Sequence, residues 1–427
     1  MRFALTAVVV IGLVTAVLVY PRDAVPSAPA LPLDQQRVVY VTDDFAIVTK
    51  RADGTGRDRI VGGSVPTGGV QAQPLAQQSA TYSWPTWSSD GSQLVVSRVP
   101  GPGRSSAALM LMKPPSAVES ALHTTRRGGL DRVADGAPHY PLWSPDGHRL
   151  ALVAPNRQST ALLLTEASLD GGDADVIAGG APLHIAWSPD SKLLAIHHQR
   201  SLIIRDAAGE LFDTGRPSVR YRVPSFSADG VSLAYVADVD GVSRMVVREL
   251  RTGDERSFGE VPVDAVFAWS PTDGEALAIA LRPDSRSSVY EGLTILDTAT
   301  GDEQVLYEGR TFAFWWSPDG ATLAVVGAGP DGFLWEGVDV GSGTVTTLAE
   351  FIPTTDFLTY LQFFDQFARS HQVWSAGSTA LVFAGQMVED RRADGVDRAW
   401  VLDATGKGNH VPLGNARAAF FVPVGDS

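Results

Sequence analysis

A short phrase recurs along this 427-residue chain and constrains its fold more than any other feature: an aromatic residue, a serine, a tight acidic turn, then a small apolar run. It reads Trp143-Ser144-Pro145-Asp146-Gly147 before Leu150-Ala151-Leu152-Val153, and Trp316-Ser317-Pro318-Asp319-Gly320 before Leu323-Ala324-Val325-Val326. Weaker copies start at Trp87, Trp187, Phe226, Trp269 and Trp374. Successive anchors lie 56, 44, 39, 43, 47 and 58 residues apart. A period of about 40–45 residues with several short strands per unit is the signature of a radial array of four-stranded sheets.

One unit shows the plan in full. Val223 to Phe226 is a strand ending on its aromatic anchor, and Ser227-Ala228-Asp229-Gly230 is the turn. Leu233 to Ala237, Arg244 to Glu249 and Glu255 to Phe258 are the next three strands. Asp-Gly pairs between apolar runs are hairpin signals, because glycine accepts positive φ and aspartate caps the turn with its own side chain. Each anchor ends a strand where a large flat ring fills the wedge between neighbouring sheets, removing about 150–250 Å² from water. The aromatic series is therefore read as packing rather than ligand binding.

These residues resemble the WD40-like repeat of the TolB propeller, close to Trp-Ser-Pro-Asp-Gly followed by a Leu-Ala-Phe-like strand. The resemblance covers nearly the whole chain after residue 37 in at least seven copies. It implies an all-β propeller fold and leaves function open, since unrelated activities share such folds. TolB proteins carry an α/β domain ahead of a six-bladed propeller, and here only residues 21–36 separate an apolar run from the first strand. The Tol–Pal partners of that family are therefore not carried over.

The first unit is incomplete. Residues 38–61 hold three strands, Val38 to Thr42, Phe45 to Lys50 and Arg57 to Val61, without an opening aromatic strand. Ala418-Ala419-Phe420-Phe421-Val422-Pro423-Val424 supplies it from the far end of the chain. Such a shared unit closes the ring and removes two open sheet edges. The expected count is eight blades, with seven as the alternative.

Residues 3–20 are uncharged and almost wholly apolar, and at about 1.5 Å per residue they reach about 27 Å, close to a bilayer core. Arg2 precedes them, which keeps the N-terminus inside and exports the rest. The expectation is a transmembrane signal anchor at residues 1–20, a Pro/Ala-rich linker at 21–36 and the propeller at 37–427. A cleaved signal peptide, leaving a secreted or periplasmic body, is the alternative. Cysteine is absent, which excludes disulfides, thiolate metal sites and a lipoprotein anchor. The net charge of −14 argues against a nucleic-acid partner, whose phosphates favour a basic face.

The segment from Phe351 to Val373 departs from the repeat. Phe357, Tyr360, Leu361, Phe364 and Ala368 follow a helical i, i+3, i+4, i+7 spacing. Thr355 or Asp356 is placed to cap the start and Arg369 to suit the last turn. The expectation is one helix of three to four turns, inserted at about 354–370 and lying on a rim of the ring. Its aromatic surface exceeds what one contact face needs, so Phe363, Phe364, Asp365, Gln366, Phe367, Arg369 and His371 are the candidate binding residues. The bland alternative is a lid that packs wholly on the propeller.

Motifs for chemistry are missing. The blades are similar to those of prolyl-oligopeptidase-like peptidases, but no Gly-x-Ser-x-Gly elbow is present. Neither are a phosphate-binding Gly-x-x-x-x-Gly-Lys-Ser/Thr loop nor His-Glu-x-x-His. His197 and His198 are adjacent on a strand and face opposite sides, so they do not share a metal. Asp238-Val239-Asp240-Gly241 and Leu169-Asp170-Gly171-Gly172-Asp173 each lack the six to eight oxygens of a calcium site and read as turns. No catalytic residue, metal or cofactor is assigned. The expected function is a membrane-anchored, extracytoplasmic, non-enzymatic scaffold for a protein or cell-envelope partner. The alternative is a small-ligand receptor, or a hydrolase or lyase, working at the channel mouth.

Overall fold

The computed structural model describes residues 32–62, 80–100, 107–112, 131–135, 140–156, 161–167, 175–206, 208–209, 211–287, 289–388 and 395–424. The apolar run 3–20, most of the linker and the turn around Asp170 lie outside them. Among the described residues, no helix is long and apolar enough to cross a membrane.

Every repeat read from the sequence is a short antiparallel meander. The fourth anchor unit is typical: Ser225–Phe226, Ser232–Val239, Val242–Glu249 and Glu255–Glu260 pair in chain order. Four further sheets have four strands, and the last three repeats run on as one sheet of ten. That continuity comes from shared strands. Glu303–Trp316 is 14 residues long, pairing backward through Glu303–Thr311 and forward through Thr311–Trp316. Its first half is the outer strand of one repeat and its second half the inner strand of the next.

The first sheet is completed by the C-terminus. Ala418–Phe421 pairs antiparallel with Arg37–Val41, in the register Val38↔Phe421 to Val41↔Ala418. Apart from Arg37, both strands are apolar and buried, so the two chain ends close one shared core.

The repeated turn is a small hydrogen-bonded knot. The Ser144 hydroxyl donates to Asp146 Oδ1 at 2.5 Å and accepts from Arg149 N at 3.0 Å, while Asp146 Oδ1 also accepts from His148 N at 3.0 Å. Gly147 sits at φ +70°, a conformation that costs other residues a Cβ clash. The same serine-to-aspartate bond forms at Ser88–Asp90, Ser188–Asp190, Ser227–Asp229 and Ser317–Asp319. Partial burial opposes ionisation of Asp146, but the Ser144 and His148 bonds prevail and hold its carboxyl below the ordinary range.

The anchors tie one sheet to the next. Trp143 Nε1 donates to the carbonyl of Thr86, and Trp187 Nε1 to that of Leu142. Trp269 reaches Ser225, Trp316 reaches Ala268 and Trp374 reaches Trp315, at 2.9–3.2 Å. In each case the acceptor is the residue before the preceding anchor. An indole fills the wedge with its ring and satisfies its one donor across the interface, which a phenyl ring at Phe226 does not do.

Candidate functional site

The insertion is two helices rather than one. α1 (Thr355–Gln362) and α2 (Phe364–Phe367) meet at Phe363, whose φ of −125° and ψ of 31° break the helix. The N-cap is Thr354, whose hydroxyl accepts from Phe357 N at 3.0 Å. Asp356, offered by the sequence as a cap, instead makes a bidentate pair with Arg417 at 2.8 and 3.0 Å. The break at Phe363 coincides with a bond from the Arg222 guanidinium to the carbonyl of Gln362.

The helices do not lie on a rim. Tyr360 stacks on Trp315 at 5.9 Å and packs on Phe420 at 5.1 Å. Phe367 stacks on Trp84 at 4.9 Å and meets Tyr140 edge-on at 5.4 Å. Phe364 packs on Phe314, and Phe357 on Phe383. His184 Nδ1 is 2.9 Å from Gln366 Oε1, and Arg369 donates to Ser225 Oγ at 2.8 Å. Trp84, Tyr140, His184, Ser225, Phe314 and Phe420 come from the anchor strands of six different repeats. Only a segment lying across the axis of the ring reaches all of them, so the insertion is an axial plug. The reason is its composition: Phe357, Tyr360, Leu361, Phe364 and Phe367 are too large an apolar surface to leave on a rim, and all five are buried.

The candidate binding residues therefore divide. Phe363 stays 42% exposed, with the Arg222 guanidinium 5.5 Å from its ring. Phe364, Gln366, Phe367 and His371 point into the ring and are buried. Asp365 pairs with Arg222 at 2.7 Å, its side chain 6% exposed. Arg369 lies beyond α2 and remains accessible. Leu358, which the sequence reading did not single out, is the second exposed apolar residue of the plug.

Two charge pairs lie beside α2. Asp365 faces Arg222, and Asp264 faces Arg282 at 2.5 Å. Burial opposes the charge on Arg222, but Asp365, Tyr290 and Asp264 outweigh it and raise its pKa. His184, His197 and His371 are held neutral by burial. Burial pushes His371 down to about 3. Burial likewise lowers His184 against its opposing bond to Gln366 Oε1, and lowers His197 against its bonds to the carbonyls of Arg222 and Ser218. The residues that receive the plug escaped sequence reading because they come from separate repeats and share no local spacing. Among the described residues, no group of three or more histidine, aspartate or glutamate side chains is placed to hold a metal ion. The Asp238 carboxylate closes its own turn by accepting from Gly241 N at 2.9 Å.

Trp87, Ser89, Trp143, Ser144, Pro145 and Pro423 line a cavity of about 160 Å³ together with Arg369, Ser370 and Gln372 from the segment that follows α2.

No protein-family model matches this sequence, and no curated protein is significantly similar to it. The chain is similar to a solved eukaryotic initiation factor at 12% identity, over 91% of this chain and 98% of that one, with a TM-score of 0.53. A solved prolyl endopeptidase matches at 11% identity and a TM-score of 0.51, over 80% of this chain and 50% of the enzyme. TolB from Acinetobacter baumannii matches at 17% identity over 80% of this chain and 82% of TolB, with a TM-score of 0.39. The fold so defined is a β-propeller.

Proposed function

We propose that the protein is a binding scaffold: an eight-bladed propeller, held outside the cytoplasm by residues 3–20, that presents its plugged face to a protein partner and performs no catalysis. The carrying observation is the plug. Its two carboxylates and the Gln366 amide are committed internally, through Asp356–Arg417, Asp365–Arg222 and Gln366–His184, while Phe363 and Leu358 stay exposed. A face whose charges are spent and whose aromatic is rigidly held is suited to contact rather than to proton transfer. The eight-blade count rests on seven anchors plus the unit shared by the chain ends. The location rests on the uncharged run after Arg2.

The test uses the full chain, purified in mild detergent from its own membranes. Phe363→Asp places a charge where an apolar contact is proposed. The expected result is loss of a stoichiometric partner with the melting temperature unchanged. Retention of the partner by this variant would overturn the assignment of that face. A small-ligand receptor is the second reading, favoured by the cavity beside Arg369.

A further inference from the structure

The described chain enters the ring on the side of the repeated turns. The turns form one continuous face. Ser89 Oγ donates to the carbonyl of Pro145, Asp146 N to Ser191 Oγ, and Asp319 N to Ser378 Oγ. Gly230 and Gly274 lie against Pro189 and Asp229 of the turns before them. Gln36, the residue before the first strand, accepts at Oε1 from Ala376 N in the turn that follows Trp374. At the other end of the chain, Val422 N donates to the carbonyl of Arg37, and Pro423 lies beside Ser89 and Pro145.

The exposed apolar residues of the plug lie on the opposite side. Val41 ends the strand that starts at Arg37, and its carbonyl accepts from Arg417 N. The carbonyl of Arg417 accepts from the Thr354 hydroxyl and its guanidinium pairs with Asp356, so α1 starts at that far end. Leu358 N donates to the carbonyl of Thr354, one turn on. Phe363 packs against Arg222, and Tyr221 beside it bridges Ala265, the second residue of the inner strand Asp264–Trp269, whose turn-side end is Trp269. The chain reaches the turn side after α2, where Phe421 N donates to the carbonyl of Gln372. Leu358 is 36% exposed and Phe363 42%.

Chain length gives the two sides different surroundings. Residues 21–32 separate the apolar run 3–20 from Leu33. Such a spacer reaches about 40 Å at most, and about 20 Å on average as a flexible chain. With the turn side toward a bilayer, the apolar run enters it directly. With the plug side toward the bilayer, the spacer must first pass Ile47–Arg51 and Asp58–Val61, which lie outside Arg37–Val41 in the first sheet. It must then climb a wall as tall as an eight-residue strand such as Ser232–Val239. At about 4.8 Å per strand and about 26 Å of height, that path of about 36 Å uses nearly the whole reach before the bilayer is met. Near-full extension forfeits most conformations of the spacer, so the direct arrangement prevails. Asp90, Asp146, Asp190, Asp229, Asp273 and Asp319 are exposed on the turn side and keep it clear of anionic headgroups.

We infer that the propeller stands with its turns toward the bilayer and its plug side facing the aqueous phase, where the exposed Phe363 and Leu358 meet a water-soluble protein rather than lipid. This orientation holds only with residues 3–20 as the anchor proposed above, and it narrows the partner to one that approaches from solution. Lipid headgroups, and proteins confined to the bilayer, lie on the other side of the ring.

The experiment is energy transfer from single labelled sites to an acceptor lipid, with the full chain in phosphatidylcholine vesicles. The chain has no cysteine, so Leu358→Cys and Lys192→Cys each offer one thiol. Lys192 lies in the turn after Trp187, its side chain 75% exposed. A dye that does not cross membranes labels only protein on the outside of the vesicles. The label at 192 should lie near the bilayer, and the label at 358 farther from it by about 26 Å, the height of the ring. Equal distances would overturn the orientation. A nearer label at 358 would also overturn it and would make lipid the occupant of the plug side. Gln362→Cys, also exposed, serves if Leu358→Cys does not fold. Phe363→Asp should leave both distances unchanged, because no lipid contact is lost, and a shift would contradict an occupant in solution. Protein that fails to float with the vesicles would refute the anchor, and this orientation with it. Floating protein with the wrong distances would refute the orientation alone.

Discussion

A chain ending at Arg417 is expected not to form the closed ring at all. The missing strand, Ala418–Phe421, supplies four buried residues and the whole ladder to Arg37–Val41. Phe420 alone packs on Tyr360 at 5.1 Å and on His371 at 4.5 Å, so it joins the first sheet to the plug as well. Truncating one buried phenylalanine costs about 3–5 kcal/mol. Two of them, together with an opened sheet edge, rival the roughly 5–15 kcal/mol that holds a folded domain together. The truncated chain should aggregate or show no cooperative melt. Phe420→Ala is the gentler version: it should fold, with urea unfolding shifted by about 3–5 kcal/mol. A truncated chain that melts like the intact one would show that the ring does not depend on this closure.

The second large effect is expected at the fastening of the plug. Arg222→Ala leaves the Asp365 carboxylate, 6% exposed, without its counter-charge. It also removes the bond to the carbonyl of Gln362 where the two helices meet. Breaking one side of such a buried pair costs about 3–5 kcal/mol, because the surviving charge has no water to turn to. Replacing both partners by apolar residues of similar size, Arg222→Met with Asp365→Leu, should recover most of that loss. Chemical denaturation of the two singles and the double forms a cycle that isolates the pair. If Arg222→Ala costs no more than a surface substitution, the plug is not held by this pair.

The legibility of these features in the sequence follows from the range of the interactions. The turns were readable because Ser, Asp and Gly act within five residues of one another, as in Ser144–Asp146–Gly147–Arg149. The shared first unit was readable because a three-strand fragment at one end and an unpaired apolar strand at the other complete each other. The insertion was readable as helical from its spacing, but its place was not. Periodicity marks which residues share a face and carries no information about what the face meets. Trp84, Tyr140, His184 and Phe420 become neighbours of the plug only once the ring is closed. Its break at Phe363 was equally hidden, because it coincides with a bond from Arg222, 140 residues away in the chain. Arg369 was singled out by the sequence, but the cavity beside it was not, since Trp87, Trp143 and Pro423 come from separate repeats and join it only in the closed ring.

The most direct test of the axial plug is native-state hydrogen exchange of the full chain, read residue by residue. With α1 and α2 packed across the axis, the amides of Tyr360, Leu361, Phe367 and Ala368 should exchange as slowly as those of the inner strands, through global unfolding alone. Arg222→Ala should speed the plug amides before those of the strands. Fast exchange across 357–368 in the intact protein, with the strands still protected, would show a loosely attached rim segment and contradict the plug.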